Sequence, residues 1–150
     1  MGDPDRRWDA LTELNAHIVT PRDHNAIVTA SGVLIAESIS KDRPLEGLNL
    51  HIRKVSRSDA GDVKAGQPLT WTFIEFEVDD DQVAELADAL SRSLEAAGGW
   101  YCDFRTVDET FVVYADRTFR YLRGEAEGRA AAEAYGRSVG VPDAQLDWPA

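Results

Sequence analysis

The run LTWTFIEFEV at residues 69–78 constrains the fold more than any other stretch of this chain. It is the most strand-like segment present, because aromatic and β-branched residues dominate it. After an acidic turn, an amphipathic segment at residues 81–97 repeats its apolar side chains with helical spacing. A strand that runs into such a helix predicts a sheet with the helix packed on one face. The apolar stripe of this helix consists of Val83, Leu86, Ala87, Leu90, Leu94 and Ala97.

More strands are predicted on both sides of this unit. Downstream, WYCDFRT, FVVYA and TFRYL are separated by turns at Val107-Asp108 and Asp116-Arg117, which is typical of an antiparallel meander. Upstream, LNLHIRKVSRS predicts a half-buried strand that pairs antiparallel with residues 69–78. A second helix is predicted over residues 125–138. The tail QLDWPA is apolar enough to dock, as a short strand beside the long one.

These elements predict a single α+β domain over residues 1–150. Its core, residues 46–150, is a mainly antiparallel sheet of five to seven strands with two helices packed on one face, close to the split βαβ, ferredoxin-like arrangement. Residues 1–45 are predicted to add a helix over residues 5–18 and a hairpin that turns at Ser31-Gly32 and extends the sheet. The second run of this hairpin, VLIAESI, is equally compatible with a turn of helix. The C-terminal half is similar to small bacterial α+β domains, a likeness that predicts a fold and no function.

Charge and composition narrow the class of protein. The net charge is −11, from 27 acidic and 16 basic residues, and such a field repels a nucleic-acid backbone. Nucleic-acid binding would need Arg53, Lys54, Arg57 and Lys64 to form one basic stripe. No apolar run approaches the roughly 20 residues of a membrane span, and no secretory leader is evident. With Cys102 the single cysteine, we expect a reduced, cytoplasmic protein without a membrane partner.

The standard catalytic and cofactor motifs are absent. The chain contains no GxxxxGK[ST], GxGxxG, HExxH or GxSxG motif and no EF-hand loop, which argues against an enzyme without excluding one. The histidines His17, His24 and His51 do not have the spacing of metal ligands, so neither a metal nor a cofactor is predicted. Cys102 alternates with Trp100 and Phe104, which predicts a small buried hydrophobe rather than a nucleophile.

An acidic cluster precedes the first helix. Asp79, Asp80 and Asp81 follow Glu75 and Glu77 closely along the chain. Carboxylates at a helix N-terminus accept hydrogen bonds from its unpaired N–H groups and interact favourably with its dipole. We therefore predict capping and solvation for this cluster, rather than a cation site.

Two alternating polar rows are the candidate ligand-binding residues. One row contains Asn49, His51 and Arg53. The other contains Tyr101, Asp103 and Arg105, with Arg120 expected beside it. If both rows face the same side of the sheet at close range, they line a concave site with guanidinium groups for an anion. If their strands are far apart, they form the solvent face of the sheet, held by cross-strand ion pairs.

The function predicted from these features is a non-catalytic interaction module. An accessory or immunity-type protein that binds a protein partner, or a second copy of itself, suits the acidic charge and the missing catalytic motifs. The alternative is a small enzyme or ligand-binding domain with an anion-accepting site lined by His51, Arg53, Asp103 and Arg105. Eight aromatic side chains exceed what one small face needs, so we expect some in the core between sheet and helices and others, on a sheet face left uncovered by helices, to form an exposed partner surface: Trp71, Phe73, Trp100, Tyr101, Tyr114, Phe119, Tyr121 and Trp148.

Overall fold

The computed structural model describes residues 29–61 and 63–150, and the helix predicted over residues 5–18 lies outside them. Six strands and two α-helices make up this part of the chain, and the predicted α+β class with an antiparallel sheet is confirmed. The strands are β1 Thr29–Ile35, β2 His51–Asp59, β3 Thr70–Asp79, β4 Cys102–Arg105, β5 Glu109–Tyr114 and β6 Arg117–Leu122. The helices are α1 Val83–Ser93 and α2 Ala126–Ser138.

The strands form one sheet in the order β2-β3-β1-β4-β5-β6, and every neighbouring pair is antiparallel. The predicted pairing of β2 with β3 and the meander of β4, β5 and β6 are confirmed. Because β3 and β4 both run antiparallel to β1, they run parallel to each other, and α1 connects them. β2 and β6 are the two edges of the sheet. β1, from the segment predicted to extend the sheet, lies at its centre.

The predicted hairpin turn at Ser31-Gly32 is wrong, because both residues lie inside β1. Gly32 is paired with Phe76 on one side and with Phe104 on the other. A Cβ atom at this position would lie 2.6 Å from Cβ of Phe104 and 2.7 Å from Cζ of Phe76. The glycine therefore permits close packing of neighbouring side chains in a central strand, rather than a reversal of the chain.

α1 buries its predicted apolar stripe against one face of the sheet. It ends at Ser93 instead of residue 97, because Leu94 is extended and forms a β-bridge with Ile39. The backbone N–H of Glu95 also donates to the carbonyl of Ser38 at 2.8 Å. This side of the sheet holds the α1 cluster, which comprises Ala30, Leu34, Phe76, Val78, Val83, Leu86, Ala87, Leu90, Leu94, Cys102, Phe104, Phe111 and Val113.

α2 packs on the opposite face, so the prediction of both helices on one face is wrong. Phe111 and Val113 of β5 belong to the α1 cluster, whereas Val112 and Tyr114 pack with Ala132 of α2. Successive residues of a strand point to opposite faces, so the two helices lie on opposite sides of β5. This second group is the α2 cluster: Val112, Tyr114, Tyr121, Ala132, Val141, Leu146 and Trp148.

The tail docks as predicted but does not form the predicted strand beside β3. It runs through a 3₁₀ turn at Asp143–Gln145 and then continues without strand pairing. The indole Nε1 of Trp148 donates to the hydroxyl of Tyr121 at 2.7 Å, and Arg129 of α2 donates to the carbonyl of Trp148 at 2.8 Å. The tail is therefore held by side chains in the α2 cluster.

The expected core role of the aromatic side chains is confirmed, but the exposed patch expected from some of them is wrong. Each of the eight side chains named above is buried or half-buried. Trp71 and Trp100 contact each other with ring centroids 5.2 Å apart, and Tyr101 meets Trp148 edge-on at 5.3 Å. Tyr114, Tyr121 and Trp148 belong to the α2 cluster, and Tyr101 and Phe119 pack against it, so these aromatic side chains do not form a partner surface.

Candidate functional site

The two predicted polar rows lie on the same face of the sheet but not beside each other. His51 is paired with Glu77, Glu77 with Ser31, and Ser31 with Arg105, and residues paired in this way share a face. This is the face against which α2 packs. Two strands, β3 and β1, separate β2 from β4, a distance of about 14 Å at the usual strand spacing. His51 and Arg53 therefore lie at the edge, apart from Asp103 and Arg105 near the centre.

The central row contacts the tail. The hydroxyl of Tyr101 donates to the carbonyl of Gln145, and burial raises the pKa of Tyr101 well above its ordinary value. Arg105 is buried, and its guanidinium donates to the carbonyl oxygen of Ala150 at 2.9 Å. Asp103 is half-buried on the same strand. Tyr101 and Arg105 thus both help to hold the tail against the sheet.

The edge row is connected to β3 by ion pairs. Arg53 Nε lies 3.5 Å from Glu77 Oε1, and Lys54 Nζ lies 3.8 Å from Glu75 Oε2. The β2–β3 register shifts between Ile52 and Lys54, so Arg53 occupies an irregularity of the ladder. Glu75 and Glu77 are buried, which contradicts their predicted solvation. The sequence signal for this burial was their alternation with apolar residues inside the longest strand.

The acidic turn before α1 is solvated as predicted, but it does not cap the helix. Asp80 and Asp81 are exposed, but no side chain at the start of α1 makes a capping hydrogen bond, so the predicted cap is wrong.

Cys102 is buried, and burial raises the pKa of its thiol well above the ordinary value. The prediction of a small buried hydrophobe at Cys102 is confirmed, since a thiol in this state is a poor nucleophile.

β2 presents the most exposed regular surface of the described sheet. Eight of its nine residues are exposed, and only Ser56 is half-buried. Ile52 and Val55 are 53% and 59% exposed and lie on the α1 face, where they are paired with Phe76 and Ile74. The sequence pattern predicted a half-buried strand and did not identify these two side chains as accessible. Periodicity gives the face of a residue, whereas exposure here follows from the position of β2 at the edge.

The residues outside β2 offer few alternatives for a site. In residues 29–61 and 63–150, no group of three or more histidine, cysteine, aspartate or glutamate side chains is arranged to hold a metal ion. None of the helices in these ranges has the length and apolarity of a membrane span. Comparison with protein-family models, with curated proteins and with solved structures finds no match to this chain.

Proposed function

We propose that this protein is a non-catalytic interaction module of the accessory or immunity type, which binds a protein partner through β2. The observation that carries the proposal is the exposure of β2, a nine-residue edge strand of which eight residues are accessible. An edge strand presents unpaired backbone N–H and C=O groups, which an extended segment of another protein satisfies by pairing as a further strand.

Two side chains would add affinity to this backbone pairing. Ile52 and Val55 lie next to each other on the α1 face, where they are paired with Phe76 and Ile74 of β3. A partner with apolar side chains on that face would cover them. Full burial of an exposed aliphatic side chain contributes about 1.5–3 kcal/mol. The proposed partner therefore supplies an extended segment that is apolar on the α1 side.

β6, the other edge, is less suited to the same role. It has six residues, and one of them, Tyr121, is buried beneath α2. Arg120 of β6 is already engaged in a bidentate pair with Glu109, with contacts of 2.6 and 2.7 Å. β2 therefore offers both a longer backbone edge and more accessible apolar surface than β6.

A different protein is favoured over a second copy of this chain. Each copy carries a net charge of −11, and two such molecules repel each other. Arg53 and Lys54 of β2 are already paired with Glu77 and Glu75 of β3, and a second β2 would bring only one acid, Asp59, so pairing of two copies adds little favourable charge interaction. Self-association is accordingly an outcome that the experiment has to distinguish.

The test compares Val55→Lys with Leu122→Lys. The two residues are 59% and 61% exposed and lie on opposite edge strands, so the variants match in chemistry and differ in location. Immobilised wild-type chain is used to capture partners from a lysate of its own cells, and both variants are then compared against the captured protein. We expect Val55→Lys to weaken binding at least about tenfold and Leu122→Lys to leave it unchanged.

Backbone hydrogen exchange locates the contact. In the complex, amides of residues 51–59 should become protected while those of β6 do not. Equal binding by the two variants would show that β2 is not the interface. If the β2 amides became protected from exchange when this chain alone was concentrated, the occupant of the edge would be a second copy rather than a different protein.

A ligand-binding site lined by His51, Arg53, Asp103 and Arg105 is the alternative proposal. The observation in its favour is that strand pairing places His51, Asp103 and Arg105 on one face, where Arg53 contacts Glu77. The separation of about 14 Å between β2 and β4 favours a ligand that spans both rows over a small anion. Titration with a linear polyphosphate long enough to span about 14 Å, followed by amide chemical shifts, tests it: joint shifts at β2 and β4 support the site, and their absence refutes it.

A further inference from the structure

A cavity of about 410 Å³ lies at the end of α1, away from β2. Its walls come from three parts of the chain: the loop that contains Arg43 and Glu46, the last turn of α1 with Arg92, and the β5–β6 turn with Asp116. The volume falls within the range of small-molecule sites in proteins. None of the polar rows identified in the sequence contributes to it.

Hydrogen bonds hold these three walls together. The backbone N–H of Asp116 donates to the carbonyl of Ser91 at 2.9 Å, and the hydroxyl of buried Ser93 donates to the carbonyl of Pro44 at 3.2 Å. Asp116 also has a φ of 60°, a left-handed conformation that is uncommon for a residue other than glycine. These contacts join the loop and the β5–β6 turn to α1, so the three walls are connected before any ligand binds.

Charges of both signs line the cavity. Arg43 and Arg92 contribute guanidinium groups, and Glu46 and Asp116 contribute carboxylates. Arg92 also pairs with Asp88 of α1, with an N–O distance of 3.0 Å. An inorganic anion would meet the two carboxylates, and a simple cation would meet the two guanidinium groups. The lining is therefore complementary to a molecule that carries both charges.

We propose that this cavity binds a small zwitterion, such as a dipeptide with unblocked termini. The ligand carboxylate accepts hydrogen bonds from Arg43 and Arg92, and its ammonium group lies near Asp116 and Glu46. Because the Arg92 side chain is 69% exposed, solvent weakens these interactions, and we expect a dissociation constant on the order of 1 mM.

The experiment uses alanyl-alanine and two blocked analogues as probes. N-acetylation removes the ammonium group and C-terminal amidation removes the carboxylate, while both keep the size of the molecule similar. Amide chemical shifts of the full chain report where each probe binds and how tightly. We expect alanyl-alanine to shift residues 43–46, 89–93 and 115–116, and each blocked analogue to bind at least about tenfold more weakly.

Variants then assign each charge to its partner. Asp116→Asn keeps a residue type that tolerates the left-handed conformation, so it preserves the turn. Asp116→Asn should reduce the difference in affinity between alanyl-alanine and its acetylated analogue. Arg43→Gln should reduce the difference in affinity between alanyl-alanine and its C-terminal amide. Arg120→Gln on β6 is the control and should change neither. Equal shifts with all three probes, shifts elsewhere, or no shifts at all would each overturn the zwitterion site.

Discussion

Gly32 is the residue on which the centre of the sheet most depends. Because Phe104 and Phe76 occupy the space where its side chain would lie, we expect Gly32→Ala to destabilise the fold by about 1–3 kcal/mol or more. Urea denaturation followed by circular dichroism measures this change. The control is Gly61→Ala, since nothing lies within 4 Å of a Cβ at that position. Equal stability of the two variants would mean that β1 does not pack as described.

Glu37 extends the β1–β3 ladder by means of its side chain. One carboxylate oxygen accepts the backbone N–H of Thr72 at 2.6 Å, and the other accepts the Thr72 hydroxyl at 2.8 Å. Burial raises the pKa of Glu37, but these hydrogen bonds and the nearby Arg57 outweigh it and lower the pKa below its usual 4.5. A lowered pKa in the folded state means that the ionised carboxylate stabilises the fold.

The pH dependence of Glu37→Gln follows from this direction. The stabilising contribution is fully present above pH 4.5 and is lost as the pH falls through the lowered pKa. We expect Glu37→Gln to cost about 1–2 kcal/mol at pH 7, and the difference from wild type to shrink as the pH falls below 4.5. Urea denaturation at a series of pH values measures it. Glu127→Gln, on the exposed side of α2, is the control, and a difference that does not change with pH would contradict the assignment.

At the scale of elements, α1 carries most of the apolar contact on its face of the sheet. Leu90 is 1% exposed within the α1 cluster, so Leu90→Ala leaves a cavity and should cost about 2–5 kcal/mol. Leu122→Ala removes the same atoms from a side chain that is 61% exposed and should change stability by less than about 0.5 kcal/mol. Denaturant midpoints of the two variants provide the measurement, and similar midpoints would contradict the burial of the stripe.

The sequence predicted an element well where its residues allowed only one structural interpretation, and less well where they allowed two. α1 was predictable because its apolar residues follow a single stripe, which only a helix can bury together. β5 reads FVVY, and both of its faces are apolar, so the pattern could not indicate which face α2 covers. Ser31-Gly32 was misread as a turn because glycine permits close packing as well as chain reversal. The contacts that distinguish these uses come from Phe76 and Phe104, which are far away in sequence.

The candidate site was predictable only in part for a related reason. The alternation of polar and apolar residues along β2 and β4 gives His51 and Arg105 each a definite face of its strand. The pairing of residues across the sheet shows that both lie on the same face. Strand order is not encoded in alternation, so the sequence could not show that β1 and β3 lie between them. The exposure of Val55 likewise depends on β2 being the last strand. Position in the sheet, rather than residue pattern, therefore determines which surface a partner can reach.

For the whole molecule, the sheet is a layer shared by two clusters on opposite faces. β5 contributes Phe111 and Val113 to one cluster and Val112 and Tyr114 to the other. Loss of either cluster would expose two apolar side chains of β5 to water, which disfavours unfolding of one face alone. We therefore expect the described domain to unfold in a single cooperative transition, as is usual for a domain of this size.

Substitutions in the two clusters, made singly and together, test whether the domain unfolds in one transition. Val83 belongs to the α1 cluster and Val141 to the α2 cluster, with the sheet between them. Each change to alanine should cost about 1–3 kcal/mol. The loss of unfolding free energy in the double variant should equal the sum of the two single losses within about 0.5 kcal/mol, because the two side chains share no partner. Tryptophan fluorescence, which reports on buried Trp71, Trp100 and Trp148, should give the same midpoint as circular dichroism in every variant. If Val141→Ala produced an early fluorescence transition while the dichroism stayed native, α2 and the tail would form a separate unit and the shared layer would not couple the two faces.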